Sequence, residues 1–578
     1  MARHEELDAA GAAACDSVKR VFFPLTFFVA VVVCPLISAQ GTDALAAEVR
    51  RLYGEKRWEE VVRLTEASAS GSADLDFYRG LALARLERWE EADVALRAGA
   101  EKSPRDARFP RERAGVAFRR DDSAAAKSHL RNALRLQPTD PYTLNFLATI
   151  YLLEGNLEAA LQLWNRTAKP VLAGLTVEPR PRTHPALMEQ ALAIPPAGVL
   201  RLEDFRSARA RIEQLGVFPR YRIELQPQPE EQFTLEFRGV ERNGWGATKL
   251  DGLLSVFRGL PYETVHLEYY NARARAMNWI SLLRWDGQKR RAFTSLSAPL
   301  GGSAKWRWLA ALDGRNENWD LRGTLAGGAL PAVNVQKLEL EFSLGAVESG
   351  RWNWRSAVTT AYRNFRQPLD IPAGAAEFFT EGTSLRYDAG IDVLLWSAPQ
   401  RRFRVDAGAT AGAGRYFTQP LGAFSHAGVS LSAHWLPRAR GDDCETQASF
   451  RFGRTFGSVT LDELFVLGVE RDNDLWLRGH AGTRNGRKGS APLGRQFALF
   501  NFEVDKVLYS GLIAVKLGPF FDAGRASDAS RHFGSRGWLF DAGVQMKIGV
   551  GGAFQVVLSY GRDLRDGGDA FFARTIRK

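Results

Sequence analysis

From residue 245 to the C-terminus, apolar and polar residues alternate with a period of two. In Arg402 to Ala413, the residues Phe403, Val405, Ala407, Ala409, Ala411 and Ala413 share one face, while Arg402, Arg404, Asp406, Gly408 and Thr410 share the other. Leu385 to Leu395 alternates likewise. Near the end, Trp538, Phe540, Ala542, Val544, Met546 and Ile548 oppose Asp541, Gln545 and Lys547. Segments rich in Gly, Asn, Asp and Arg separate these runs, which predicts strands joined by turns. A soluble sandwich also alternates, but it rarely keeps charges on the enclosed face of so many strands, because unpaired buried charge is costly. A lumen accommodates them, and the apolar set then faces lipid. Lipid leaves backbone groups no solvent, so the sheet must close on itself. Residues 245–578 are therefore expected to form one transmembrane antiparallel β-barrel of even strand number, sixteen from its length. Asn318 to Leu325 reads as strand or loop. The first strand is expected near Gly246 to Phe257 and the last over Ala570 to Ile576.

Upstream the period changes. Between Ala44 and Pro170 small residues recur every 34 positions, at Gly80, Ala114 and Ala148 and again at Ala92, Ala126 and Ala160, with Pro104 and Pro138 in step. Small residues at that interval let the two helices of a hairpin cross closely, and proline ends the second helix. The pattern resembles the tetratricopeptide repeat. Arg57-Trp58-Glu59-Glu60 echoes Arg88-Trp89-Glu90-Glu91 at a 31-residue offset, which reads as an irregular cap, giving an α-helical solenoid of four hairpins over 44–170. Such stacks present a concave face to peptides, and Arg85, Arg111, Arg119 and Asn145 fall at positions expected to face it. The same residues also read as solvated surface charge.

Residues 171–242 read as a small α+β domain. An apolar run from Val171 to Val177 is followed by a helix over His184 to Ala193, a turn at Pro195 to Gly198, and a second helix over Glu203 to Leu215 with Phe205, Ala208, Ile212 and Leu215 on one face. Gly216 ends that helix. Strands follow at Tyr221 to Leu225 and Phe233 to Val240. The order, with Leu215-Gly216-Val217-Phe218 and Phe237-Arg238-Gly239-Val240-Glu241, resembles a POTRA domain. The resemblance implies a periplasmic position before a barrel and contact with clients, partly by strand addition to an exposed edge.

Composition changes the picture in three ways. Lys19 and Arg20 precede an apolar run from Val21 to Ile37 that is short for a spanning helix and holds Pro24 and Pro35, so residues 1–39 fit a signal peptide cleaved after Ala39, with an uncleaved anchor as the alternative. Cleavage removes Cys15 and Cys34 and leaves Cys444 as the only thiol, which excludes an intramolecular disulfide. The net charge of +11 suits contact with anionic outer-membrane lipid or acidic partners, but it is spread along the chain without an aromatic-rich basic motif, so nucleic acid is not an expected partner and a solvated surface is the preferred reading of the charge.

The C-terminal third carries a further set of motifs. Leu461 to Gly468 reads LDELFVLG. It is followed by Leu477-Arg478-Gly479-His480, then Phe500-Asn501-Phe502-Glu503, then Phe520-Phe521-Asp522-Ala523-Gly524. In kind and order these resemble the superfamily of BamA, TamA and the two-partner-secretion transporters (the bacterial surface antigen family). The resemblance implies a loop folded back into the lumen and its arginine paired with an aspartate on a later strand, here Arg478 with Asp522. Parity supports inward positions for Asp522, with Lys516, and for Glu503, with Asn501; Phe520 and Gly524 share the strand. A guanidinium meets a carboxylate through two parallel hydrogen bonds. His480 departs from the family's aromatic residue, and the chain ends Thr575-Ile576-Arg577-Lys578 where the family ends on an aromatic one. The resemblance also implies a weak seam between first and last strands through which clients enter the membrane.

No nucleophile elbow, His-Glu-x-x-His motif or cysteine pair is present, and Gly549 to Gly552 reads as a turn, so neither catalysis nor a cofactor or metal is expected. The leading expectation is insertion or translocation of polypeptides at the outer membrane, with the repeats docking clients or periplasmic proteins. A polysaccharide-export barrel and a membrane tether for a periplasmic complex are the alternatives.

Overall fold

A computed structural model describes residues 36–577, apart from 68–71, 196, 322–323, 325–331, 367–370, 372–374, 419–421, 439–442, 512 and 551–553. The leader expected over residues 1–39 lies almost wholly outside the described residues. The chain forms two compact units, residues 1–129 and 130–578.

The first unit is helical, with α1 (Leu36–Gly54), α2 (Trp58–Ala67), α3 (Ala73–Arg85), α4 (Trp89–Lys102) and α5 (Arg108–Arg119); α6 (Ser123–Leu136) runs into the second. Close crossing at small residues is what the 34-residue period encodes. A Cβ added at Gly80 would lie 2.5 Å from Leu96 Cγ, and one at Gly99 2.2 Å from the Phe109 ring. Ala92 and Phe109 are fully buried. In the second unit α7 (Pro141–Leu153) and α8 (Leu157–Trp164) form another hairpin, capped by Asp140 on the Thr143 amide and Asn156 on the Ala159 amide.

A small sheet follows in the order β2-β1-β4-β3, made of β1 (Val171–Glu178), β2 (Gly198–Val199), β3 (Arg220–Pro227) and β4 (Gln232–Val240). β1 runs parallel to β4, and β3 is antiparallel to it and forms the edge. Helices α9 (Pro185–Leu192) and α10 (Leu202–Leu215) pack on it through Leu187, Met188, Ile212, Leu215 and Phe237.

The remainder is a closed barrel. Its strands are β5 (Thr264–Ala272), β6 (Met277–Trp285), β7 (Lys289–Pro299), β8 (Trp306–Trp319), β9 (Val333–Val347), β10 (Trp352–Arg366), β11 (Gly382–Ala398), β12 (Phe403–Tyr416), β13 (Ala423–Trp435) and β14 (Cys444–Gly457). Four two-residue strands lie in the connection that follows: β15 (Phe465–Val466), β16 (Thr483–Arg484), β17 (Arg487–Lys488) and β18 (Leu493–Gly494). The wall then continues with β19 (Gln496–Tyr509), β20 (Ile513–Ser527), β21 (Leu539–Val550), β22 (Phe554–Asp563) and β23 (Asp569–Arg577). β14 pairs directly with β19.

Two expectations are corrected. Among the described residues the wall has fifteen long strands, not sixteen, and the count is odd. Gly246 to Phe257 is not the first strand: Lys249–Phe257 is a helix, α11, whose N-cap Thr248 accepts a hydrogen bond from the Asp251 amide. Apolar residues spaced three and four apart, with a capping pair ahead of them, favour helix over strand. Asn318 and Trp319 end β8, and residues 322, 323 and 325 of the stretch read as strand or loop lie outside the described residues.

Outward residues form apolar rows. Phe342, Val358 and Tyr387 lie side by side on β9, β10 and β11, each about half exposed. Inward positions carry buried charge at Arg284, Asp313, Glu317, Arg363, Asp522 and Asp541. The barrel's turns at one rim hold the small sheet: Leu215 O accepts from Asn278 Nδ2 (3.0 Å) and Arg307 Nη1 (3.2 Å), and the His184 amide donates to Ala274 O (2.7 Å). The α7–α8 hairpin meets the same rim, with Asn156 Nδ2 donating to Pro399 O and Arg402 Nη2 to Glu154 O.

Candidate functional site

Because β14 and β19 are neighbours in the wall, the whole segment 458–495 leaves it between them, and its contacts place it in the lumen. Apolar residues seat it at two levels. Leu461, Leu464 and Leu493 pack with Trp319, Phe365 and Phe378, while Leu467, Leu475 and Leu477 pack with Phe497, Leu499 and Leu539.

The Leu477 to His480 turn is held by β19 to β22. Arg478, 3% exposed, donates from Nε and Nη2 to the two oxygens of fully buried Asp522, at 2.9 and 2.7 Å. Its backbone amide donates to the same carboxylate (2.9 Å), and Nη1 donates to Glu503 Oε2 and Gln545 Oε1, both at 2.9 Å. The guanidinium lies 3.8 Å over the Phe520 ring. Asn501 Nδ2 completes the Asp522 shell at 2.7 Å, and Lys547 Nζ holds Glu503 at 2.7 Å. The arrangement is bidentate, charge-assisted and screened from water, so it is strong and directional.

Two glycines permit this approach. A Cβ on Gly561 would lie 2.3 Å from Arg478 O, and one on Gly479 2.6 Å from the Asp563 amide. Gly524, the last residue of the strand motif, faces Leu467, Leu477 and Leu499.

His480 sits between two carboxylates, with Nδ1 3.2 Å from Asp541 and Nε2 3.4 Å from Asp563. Burial opposes charging of the ring, but Asp541 and Asp563 outweigh it and raise the pKa above the ordinary histidine value. These three side chains have ligand atoms within 4.8 Å of one another. The two ring nitrogens address different carboxylates, however, which suits a protonated imidazole bridging them and not a chelated cation.

Sequence reasoning missed the other anchors of the segment. Arg284 and Arg291 both bind Asp472, at 2.6 and 2.7 Å, and Lys488 binds Glu317 at 2.7 Å. Arg363, Lys337 and Arg386 converge on Asp462 and Glu463 at 2.9–3.2 Å. The residue types are visible in the sequence as inward-parity bases on β6 to β11 and acids in the 461–472 stretch, but their pairing is not, and Lys488 with Glu317 reverses the pattern.

The four repeat-array residues lie on helices of the repeat array. Arg85 ends α3; Arg111 and Arg119 lie on α5, Arg111 beside Glu112 at 3.3 Å. Asn145 lies on α7 and accepts from Thr167 Oγ1 at 3.1 Å, so it supports the end of its own hairpin.

No model of a protein family matches the sequence, and no curated protein does. Among solved structures, the chain is similar to BamA from Haemophilus ducreyi lacking POTRA domains 1–3, at 11% identity over 70% of this chain and 84% of that one, TM-score 0.41. It is similar to CdiB from Escherichia coli at 12% identity over 71% and 76%, TM-score 0.48. CdiB from Acinetobacter baumannii aligns at 10% identity over 73% and 82%, TM-score 0.44.

Proposed function

We propose that the chain is an outer-membrane β-barrel that inserts or translocates polypeptides, with its helical repeats and small sheet on the periplasmic side. The observation that carries this reading is the filled lumen. Segment 458–495 is tied to the wall by buried ion pairs along its length, so the barrel is not built as an open conduit for a hydrated polymer. What remains available are backbone edges. Edge strand β3 borders a groove of about 1850 Å³ between the small sheet, α8, α10 and the barrel rim at Ser397 to Arg404. An extended polypeptide can add to such an edge through main-chain hydrogen bonds. The second is the seam between β23 and β5, neighbours that close the barrel without an extended run of paired residues among the described residues. An odd number of alternating strands brings these two together parallel, whereas single-chain bacterial barrels close with an even number.

The outward apolar rows support a membrane setting and the inward charges an enclosed polar one. The 34-residue repeat supports docking of clients or partners by the helical array. A photo-crosslinker at Ile223, on β3, tests the reading in cells. Capture of many extended outer-membrane polypeptides is expected; capture of glycan points to polysaccharide export, and capture of one fixed protein to a tether.

A further inference from the structure

The gap between β23 and β5 is not empty. α11, which connects the small sheet to β5, lies along it, and one hydroxyl touches both edges: Ser255 Oγ donates to Glu268 on β5 at 3.0 Å and accepts from Arg577, at the end of β23, at 2.9 Å. Arg258 Nη2 donates to the same Glu268 at 2.6 Å, and the Arg577 guanidinium lies 4.5 Å over the Tyr270 ring. Glu268 is 4% exposed, so these bonds form away from water.

The two faces of α11 differ sharply. The face toward the strands is small and polar, with Gly252 and Ser255 buried. The opposite face carries Leu250, Leu253 and Phe257, exposed by 64, 55 and 46%. Water is a poor neighbour for that stripe. The approach to the helix shows which side it faces. Trp245, just ahead of it, packs at 5.5 Å on Tyr269 and at 6.3 Å on Trp279, paired residues of β5 and β6. Both share the parity of outward, exposed Leu267 and Leu283, whereas Glu268 and Arg284 on the inward parity are buried. The apolar stripe of α11 thus continues the outward apolar surface of β5 and β6.

We infer that α11 is a stave of the barrel wall, standing where an even-numbered barrel would place its sixteenth strand, with Leu250, Leu253 and Phe257 solvated by acyl chains. A helix suits this place because its backbone hydrogen bonds are internal, so it needs no ladder to either neighbour. At nine residues it is about 13 Å long against a hydrocarbon core of about 30 Å, so it covers part of the seam's height and leaves the rest to side chains. It also shields the two strand edges, which no extended ladder joins among the described residues, without zipping them.

The inference rests on the membrane reading of the barrel, and the test separates the two. In full-length protein with its three cysteines replaced by serine, nitroxide labels are placed at Leu250→Cys, Leu253→Cys or Phe257→Cys, with Leu267→Cys as the outward reference on β5 and Thr410→Cys as the lumen reference. In proteoliposomes of outer-membrane phospholipid, the α11 labels should match Leu267, collisions with oxygen exceeding those with a water-soluble nickel chelate. Labels that match Thr410 would put the stripe in water and overturn the inference, and labels shielded from both reagents would put it against protein and do the same. If Leu267 itself reports water, the membrane placement fails first. Benzoylphenylalanine at position 253 gives an independent reading without a thiol: phospholipid adducts are expected, and adducts to polypeptide alone contradict it.

Discussion

Replacing Arg478 with alanine is the sharpest perturbation of the lumen segment. The change removes four side-chain hydrogen bonds, two to Asp522 and one each to Glu503 and Gln545. Glu503 keeps Lys547, but Asp522, with no exposed surface, loses its cation and keeps only the amide of residue 478 and Asn501 as donors. Removing one partner of a buried pair costs about 3–5 kcal/mol, and the two surviving donors place this site near 3. At about 1.4 kcal/mol per factor of ten, docking of segment 458–495 weakens on the order of 100-fold. Limited proteolysis of native protein in detergent reads this directly, because cleavage follows the open population when reclosing is fast. Cleavage within 458–495 should accelerate by that factor, and Arg478→Lys should fall between, since it restores charge without the fork. An exposed pair contributes about 1 kcal/mol or less. A change under about fivefold in Arg478→Ala would therefore refute the buried-anchor reasoning.

Other outcomes follow from the same contacts. Arg478→Asp with Asp522→Arg should recover only part of the loss, because the new carboxylate faces Glu503; adding Glu503→Gln should improve it, scored in the same proteolysis assay as a coupling energy. Gly479→Ala should undock the turn although it adds a single methyl, because that carbon would lie 2.6–2.7 Å from Asp563 and Asp541; a cleavage rate equal to wild type contradicts the close approach. His480 has a raised pKa when docked, so its contribution is full below the undocked value and is lost as pH rises through the docked one. Proteolysis of the segment should accelerate as pH rises from ordinary histidine titration through the raised docked value, and the His480→Gln variant should lose the dependence. In the helical unit, Phe109→Ala empties a fully buried site and should cost about 3–5 kcal/mol in denaturant unfolding, whereas a loss under 1 would contradict the packing.

Local pattern made much of the architecture legible. Period two marks the wall strands, and the parity argument puts Asp522, Glu503 and Asn501 on the lumen side, where the structure has them. The strands expected at Tyr221 to Leu225 and Phe233 to Val240 fall within two residues of the ends of β3 and β4, whereas the two-residue β2 begins in the stretch read as a turn. The miss at Lys249–Phe257 is instructive, because Thr248 and Asp251 form a reciprocal cap, with the Ala247 amide donating to Asp251 at 2.8 Å. That local signal was outweighed by the expectation that a barrel begins with a strand. The anchors at Asp462, Glu463 and Asp472 were illegible for another reason: their partners Arg363, Arg386 and Arg284 are 77 to 188 residues away, and only closure of the barrel brings them together. The odd strand count among the described residues was hidden because a strand number drawn from length cannot register a helix that takes one strand's place.

Reconstitution tests the central claim, that the barrel acts on polypeptides, most directly. Liposomes carrying the full chain are mixed with a small outer-membrane barrel protein unfolded in urea, and protease-protected client is followed with time. Faster protection than in empty liposomes, abolished when an added peptide strand occupies the β3 groove, is the predicted result. Equal rates with and without the protein would contradict it.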